Sequence, residues 1–347
     1  MKTSFAVALA AVAATSAAAA PLTQEQYQFL FTRFVDTYEK SYESNSFFSK
    51  FNTFKNNVDL ILAHNANPEK TFTMGMNQFG DLTQAEFAKL MTLGQNVHSV
   101  ASSSSSSSFD EAQKLFASAP VAANGACYDW RKNMNPVKNQ ASCGSCWAFA
   151  ATAGLEGAYN VLKGKNFDFS EQQLVDCDKA SSGCNGGLMS NAYAYIKSAG
   201  GICQQSAYPY TAKNGVCRDS SCLKVATVTG YKSLSTEAEI IDALSRQPVP
   251  VALAASSSAF QFYSSGVIKA EDGCGTGVNH GVTAVAFFEA HAAQQGCSYS
   301  DIDSAVPYYL IRNSWGATWG DKGHVRIEAR KNVCGIVRTS FAAIPTI

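Results

Sequence analysis

The chain carries eleven cysteines, and none lies before Cys127. Any disulfide framework is therefore confined to the residues from 127 onward. Eleven is too few for a small fold held by disulfides alone and too many for an ordinary chain in a reducing cytosol. The count is also odd. In an oxidising compartment at least one sulfur is left without an intramolecular partner, and that sulfur needs a chemical reason to persist. Over 347 residues, 46% hydrophobic content is enough to fill a proper core. The 27 basic and 27 acidic side chains cancel, so the cationic excess of a nucleic-acid or anionic-membrane binder is missing. Aromatic residues at 11% and charged residues at 16% exclude wholesale disorder.

The compartment is written at the start. One lysine, Lys2, precedes an apolar, alanine-rich run from Ser4 to Ala20 that ends in small residues. This reads as a secretory signal peptide cleaved near Ala18–Ala20, too short and weakly hydrophobic for a membrane span. Three blocks follow. From Pro21 to Thr92, Tyr27, Leu30, Phe31, Phe34 and Tyr38, then Phe47, Phe51, Phe54, Val58, Ile61 and Leu62, recur at helical spacing and predict two amphipathic helices. An extended stretch, Phe72 to Phe79, comes next, and Asp81 to Glu86 reads as a capped start to another helix. The second block, about Gly94 to Asn124, contains the Ser102–Ser108 run and reads as a flexible linker. The third, Gly125 to Ile347, holds every cysteine and has the size of one large domain or two fused lobes. Residues 21–123 carry a net charge of −3 and 124–347 one of +2, compatible with one block lying on the other.

The odd cysteine is best placed at Cys146. The run Asn139-Gln-Ala-Ser-Cys-Gly-Ser-Cys-Trp-Ala-Phe149 passes from a loop into a helix near that residue. A thiol at a helix N-terminus faces the positive end of the macrodipole, which favours thiolate. Gln140 supplies an amide that could donate to a developing oxyanion. His280, in Val278-Asn-His-Gly-Val-Thr, stands where a strand begins and can serve as the base. Asn313, after another strand-like run, can orient its ring. A redox dithiol or half a zinc site are the rivals for Cys143-x-x-Cys146, but no second such pair exists and both leave Gln140, His280 and Asn313 unexplained. His324 reads as a packing or surface position on a strand, and His291 as a solvated loop residue.

At this point the residues resemble the papain-like cysteine peptidases, of cathepsin L-like type. The resemblance rests on Pro136-Val-Lys-Asn-Gln140, Cys143 to Phe149, Leu174-Val-Asp-Cys-Asp178, Gly183-Cys-Asn-Gly-Gly187, Tyr208-Pro-Tyr210, Asn279-His-Gly281 and Asn313-Ser-Trp-Gly316. Ahead of it, Gly75-Met-Asn-Gln-Phe-Gly-Asp81 and the series Phe54, Asn57, Ile61 and Asn65 match the family's inhibitory propeptide. That propeptide's usual Glu and Arg positions hold Ser46 and Lys50, so the ion pair expected between them is missing.

The resemblance implies an α+β fold of two lobes, one mainly helical and one a β-barrel-like sheet, with Cys146 and His280 facing across a cleft. It implies residues 1–20 as signal, 21–93 as propeptide, 94–123 as linker and 124–347 as the peptidase domain. Cys146 becomes the nucleophile and His280 the general acid–base. Gln140 and the Cys146 N–H form the oxyanion hole, Asn313 orients His280, and Trp315 shields their hydrogen bond. Disulfides Cys143–Cys184, Cys177–Cys217 and Cys274–Cys334 are implied. With Cys146 free, Cys127, Cys203, Cys222 and Cys297 remain; Cys203 and Cys222 flank the Tyr208-Pro-Tyr turn and could form an extra bridge, in which case Cys127 would pair with Cys297, and the sequence leaves this pairing open. The subsite two before the scissile bond is implied to be lined by Leu188, Met189, Ala252, Val278, Gly281 and Thr339, an apolar set suited to a bulky hydrophobic side chain. Gly186 and Gly187 would bond an extended substrate through their backbone. The expected product is a monomeric endopeptidase, secreted or lysosomal/vacuolar, acting on proteins and peptides and held inactive by its own propeptide. No cofactor, metal, nucleic acid or mature-form membrane contact is implied, and acid is expected to loosen the propeptide through Asp81. A non-catalytic, binding-only homologue is the rival from another class.

Two departures stand out. Ala141 occupies a position where glycine is common, and a positive φ there would strain it. A long insert, about Phe287 to Val306, separates His280 from Asn313.

Overall fold

A computed structural model of the protein describes residues 22–91, 127–292, 304–337 and 341–347. The expected signal peptide and linker, Cys297 and Thr339 lie outside the described residues, as does the middle of the insert.

The N-terminal block is built on two helices. α1 (Gln24–Thr37) starts at a capping box in which Thr23 accepts from the Gln26 N–H and the Gln26 side chain accepts from the Thr23 N–H. Its apolar stripe of Tyr27, Leu30, Phe31 and Phe34 meets Phe51, Phe54, Val58 and Ile61 of α2 (Phe47–Ala66). The rings interlock at 5.3 Å between Phe31 and Phe54 and 5.0 Å between Phe34 and Phe54. The extended stretch is shorter than its sequence pattern. Strand β1 covers only Phe72–Met74, because the Asn77 side chain accepts from the Phe79 N–H at 3.0 Å and turns the chain. The next helix, α3 (Gln84–Lys89), is capped by a Thr83–Glu86 box within the expected start at Asp81 to Glu86. The Asp81 carboxylate is occupied elsewhere, by Lys40 and by the Tyr42 hydroxyl, each at 2.9 Å.

The C-terminal block has two lobes. The helical lobe comprises α4 (Cys146–Lys163), α5 (Glu171–Cys177) and α6 (Met189–Ser198), with a small ladder of β3 (Ile202–Cys203) on β4 (Lys224–Ala226). Alanines and glycines dominate the first half of α4 and let it lie close to its neighbours, and Gly164, at φ +63°, ends the helix in a left-handed cap. Trp147 and Leu155 join Phe169, Leu174, Tyr193 and Ile196 in the core of this lobe.

The other lobe is a sheet. Its strands are β2 (Cys127–Asp129), β6 (Val249–Leu253), β7 (Tyr263–Ile268), β8 (His280–Phe288), β9 (Tyr308–Arg312) and β10 (His324–Glu328). Together with β1 they run in the order β1-β7-β10-β9-β8-β2, with β6 also paired to β8. Every pair is antiparallel except β7 with β10. All of β8 is buried, matching its unbroken run of small and apolar residues. Outside this sheet, β5 (Gly230–Leu234) pairs with β11 (Ala342–Thr346), and α7 (Glu237–Leu244) and α8 (Ser258–Gln261) complete the order. The fold is α+β and two-lobed, with α4 at the joint.

The N-terminal block enters this architecture as a strand. Phe72, Thr73 and Met74 pair with Gly266, Ser265 and Tyr263, extending the sheet at its edge. Gly266, at φ +88°, permits the approach, because a Cβ there would stand 2.5 Å from the Thr71 carbonyl oxygen and 2.6 Å from the Phe72 Cα.

Disulfides join Cys143 to Cys184, Cys177 to Cys217, Cys203 to Cys222 and Cys274 to Cys334. Cys127 is also disulfide-bonded. Among the described residues Cys146 is the free cysteine.

Candidate active site

Cys146 is the first residue of α4 and His280 the first of β8, so a helix start and a strand start meet. Gly281 makes the meeting possible. A Cβ on it would lie 3.3 Å from the carbonyl carbon and oxygen of Cys146 and from the Cα of Trp147. Backbone N–H groups of Gly281, Trp147 and Cys146 itself favour thiolate at the sulfur. Both residues are buried, each 1% exposed.

Asn313 follows β9 and fixes the imidazole. Its Oδ1 lies 2.8 Å from His280 Nε2 and also accepts from the Ser314 N–H at 2.8 Å. Two donors on one oxygen set the amide orientation, so the His280 proton sits on Nε2 and Nδ1 is the free nitrogen. The Trp315 indole packs on the His280 ring at 4.8 Å between centroids and keeps water from that bond.

Gln140 is zipped alongside. Its N–H donates to the Ser314 carbonyl at 2.8 Å, and the Gly316 N–H donates to that of Lys138 at 3.0 Å. Its side chain is held at both ends, with Nε2 donating to the Cys143 carbonyl at 3.0 Å and Oε1 accepting from the Ser314 hydroxyl at 2.6 Å. Ser314 went without a role in the sequence reading, although it lies inside the Asn313–Gly316 run. Ala141 has φ +52°, a left-handed conformation that costs a non-glycine residue roughly 1–2 kcal/mol. Behind this strip, Lys138 anchors it to the helical lobe, bonding Glu156 of α4 at 2.8 Å and Glu171 of α5 at 2.7 Å. Burial raises the Glu171 pKa against the pull of Lys138.

Electrostatically the pair is quiet. Burial pushes the Cys146 thiol up to about 11, against the N–H groups that favour thiolate. Burial also pushes His280 down to about 4, with the Asn313 bond acting the other way. Thiol and imidazole are therefore both neutral around pH 7.

The N-terminal block lies on the wall of this site. Gln78 Nε2 donates to the Trp315 carbonyl at 2.9 Å, and Asn77 Nδ2 donates to that of Gln261 at 2.6 Å. Phe79 and Phe87 meet the Trp315 indole edge-on at 5.1 and 5.6 Å. Lys50, without a partner in the sequence reading, bonds Glu86 at 2.9 Å, so the block is held by Lys40–Asp81 and Lys50–Glu86 in place of a 46–50 pair.

The remaining candidates divide. Met189 and Ala252 share the helical-lobe core, with Val278 packed against it, and Ala252 is paired with Gly281 across β6 and β8. Leu188 is buried at the N-cap of α6, while Gly186 and Gly187 are buried in the turn before it. His324 opens β10 and His291 is exposed. Among the described residues, one cluster has metal-ligand spacing, Cys177, Cys217 and Asp219, and its two sulfurs are joined in a disulfide. No described helix is long and apolar enough to cross a membrane.

Known proteins resemble this chain in sequence and fold. Residues 125–344 match the papain family cysteine protease model, and residues 31–87 match the cathepsin propeptide inhibitor domain. A senescence-specific cysteine protease of Arabidopsis thaliana is 38% identical over 86% of this chain and 84% of its own length. The thiol protease aleurain of the same plant is 38% identical over 94% and 86%. A digestive procathepsin L from the larval midgut of Tenebrio molitor superposes with a TM-score of 0.75 at 33% identity, covering 92% of this chain and 99% of that one. The chain belongs to the papain family of cysteine proteases and carries that family's propeptide inhibitor domain ahead of its enzyme.

Proposed function

We propose that Cys146 is the nucleophile of a cysteine endopeptidase and His280 its general acid–base. The observation that carries this is the convergence of a free, helix-terminal thiol with an imidazole oriented by Asn313. The Cys146 thiol gives its proton to His280 Nδ1 as the sulfur attacks the peptide carbonyl carbon, and the oxyanion is received by the Cys146 N–H and by the Gln140 amide, whose Nε2 has a second N–H to give. His280 passes a proton to the leaving amine, the C–N bond breaks, and a thioester remains. Water, deprotonated by His280, then hydrolyses that thioester and restores the thiol. Trp315 keeps the His280–Asn313 bond dry throughout.

Residues 21–93 serve as the propeptide, 1–20 as a signal for the secretory route, and 94–123 as the linker cut on maturation to release 124–347. The enzyme works as a monomer outside the cell or in a lysosome or vacuole. The apolar setting of Met189, Ala252 and Val278, with Leu188 and Gly281, favours a bulky hydrophobic residue two before the scissile bond, and Thr339 is assigned to the same subsite on the sequence resemblance. Gly186 and Gly187 bond the substrate backbone.

Treating the acid-activated enzyme with an epoxide inactivator of thiol peptidases tests the reading. Adduct at Cys146 in step with lost activity supports it, and full activity with Cys146 occupied overturns it. Sequencing the N-terminus of that enzyme tests the boundaries.

A further inference from the structure

Tyr210, in the turn after β3, stands outside every role assigned above. Its hydroxyl donates to the Gln140 carbonyl at 2.8 Å. The same oxygen lies 2.6 Å from the Ser145 hydroxyl. A phenol has one proton, and that proton is spent on Gln140, so Ser145 is the donor in the second bond. Burial pushes the Tyr210 pKa up to about 12, which keeps the proton in place. The ring is braced edge-on against Phe149 of α4, 4.8 Å between centroids.

The consequence lies at Ser145. This residue is fully buried at the N-cap of α4, yet its side chain makes no capping bond. A serine there ordinarily stands in extended backbone and accepts from the N–H two or three residues on, whereas Ser145 stands at φ −98°, ψ 18° and its own carbonyl takes the Ala148 N–H at 2.8 Å. With its hydroxyl on Tyr210, Ser145 is held in this non-capping turn and leaves the Trp147 N–H to favour the Cys146 thiolate. One phenol thus touches the residue before the nucleophile and the main chain of the oxyanion glutamine.

We propose that Tyr210 is a positioning residue that acts on both halves of the site: it holds Gln140 in place and diverts Ser145 from capping α4, reserving helix-terminal N–H groups for the Cys146 sulfur. This rests on Cys146 and Gln140 having the roles proposed above.

The test uses the full chain, expressed as the zymogen and acid-activated. Tyr210→Phe keeps the ring against Phe149 and removes the hydroxyl. It should lower kcat about tenfold with KM within about twofold, as expected when a reacting group is slightly misplaced. Alkylation of Cys146 by iodoacetamide, which forms no oxyanion, should slow as the freed Ser145 caps the helix. In the double variant Ser145→Ala/Tyr210→Phe no hydroxyl competes, so alkylation should return to within about twofold of the unaltered enzyme while kcat stays low. Ser145→Ala alone should alkylate at the unaltered rate. The proposal is overturned by a Tyr210→Phe enzyme whose kcat is within about twofold of normal, or by a double variant that alkylates as slowly as the single one. It is equally overturned if Ser145→Ala alone alkylates markedly slower. Failure of the underlying reading looks different, because Cys146 of the unaltered activated enzyme would not be alkylated at all.

Discussion

Asn313 Oδ1 sits 2.8 Å from His280 Nε2, beneath the indole of Trp315 and shut off from water. The bond sets which ring nitrogen is free and where it points. Asn313→Ala removes it without adding charge. The activated variant should lose about tenfold to a hundredfold in kcat with little change in KM. Steady-state kinetics on a peptide substrate check this, and an unchanged kcat would remove Asn313 from the machinery.

Gln140 is held by Ser314 and Cys143 with an N–H to spare. Gln140→Ala should cut kcat by about a hundredfold to a thousandfold, the range for loss of one oxyanion donor. Alkylation of Cys146 should be nearly untouched, since that reaction develops no oxyanion. Equal losses in both assays would mean that Gln140 supports the fold instead.

In the zymogen, burial holds the Cys146 thiol at about 11 and His280 at about 4. The raised thiol value keeps sulfur protonated at neutral pH, and the lowered histidine value keeps the ring uncharged there. Alkylation of the zymogen should therefore be slow at neutral pH and climb only as pH approaches 11. Removing the propeptide should open the pair to water and bring fast alkylation at neutral pH. Rates measured across pH on both forms check this, and a zymogen that alkylates as fast as the activated enzyme would contradict it.

The propeptide is held partly by Asp81, buried between Lys40 and Tyr42. Asp81→Ala leaves Lys40 without its carboxylate, at a cost of about 1–3 kcal/mol. The variant zymogen should activate without acid, measured as activity appearing at neutral pH. An activation rate that matches the unaltered zymogen at both neutral and acidic pH would count against Asp81 as the latch.

Much of this was legible locally, and the exceptions share one cause. The stripes on α1 and α2 repeat at three and four residues, so the helices can be read from neighbours in the chain. Cys146, His280 and Asn313 each stand in a short distinctive run, and the structure brings those runs to one place. The Lys40–Asp81 and Lys50–Glu86 pairs instead join residues far apart in sequence, and no local pattern selects them. The same holds for β1, which takes its partner β7 from the far side of the enzyme.

The edge strand offers a second handle on inhibition. Gly266→Ala would drive a Cβ into the Thr71 and Phe72 backbone. The zymogen should leak activity before acid treatment, while the activated enzyme keeps the substrate kinetics of the parent apart from strain at φ +88°. A tight zymogen would show that β1 pairing adds little to inhibition.

The setting of Met189, Ala252 and Val278 predicts leucine or phenylalanine over arginine two residues before the cut. A peptide library profiled with the activated enzyme checks this, and a preference for arginine would reverse it.

The most direct test of the central claim is the site and stoichiometry of epoxide labelling, read by mass spectrometry on zymogen and acid-activated enzyme. The account predicts one adduct per activated chain, on Cys146, rising in step with loss of activity, and almost none on the zymogen at neutral pH. Labelling elsewhere with Cys146 untouched, or full activity after Cys146 is occupied, would contradict it.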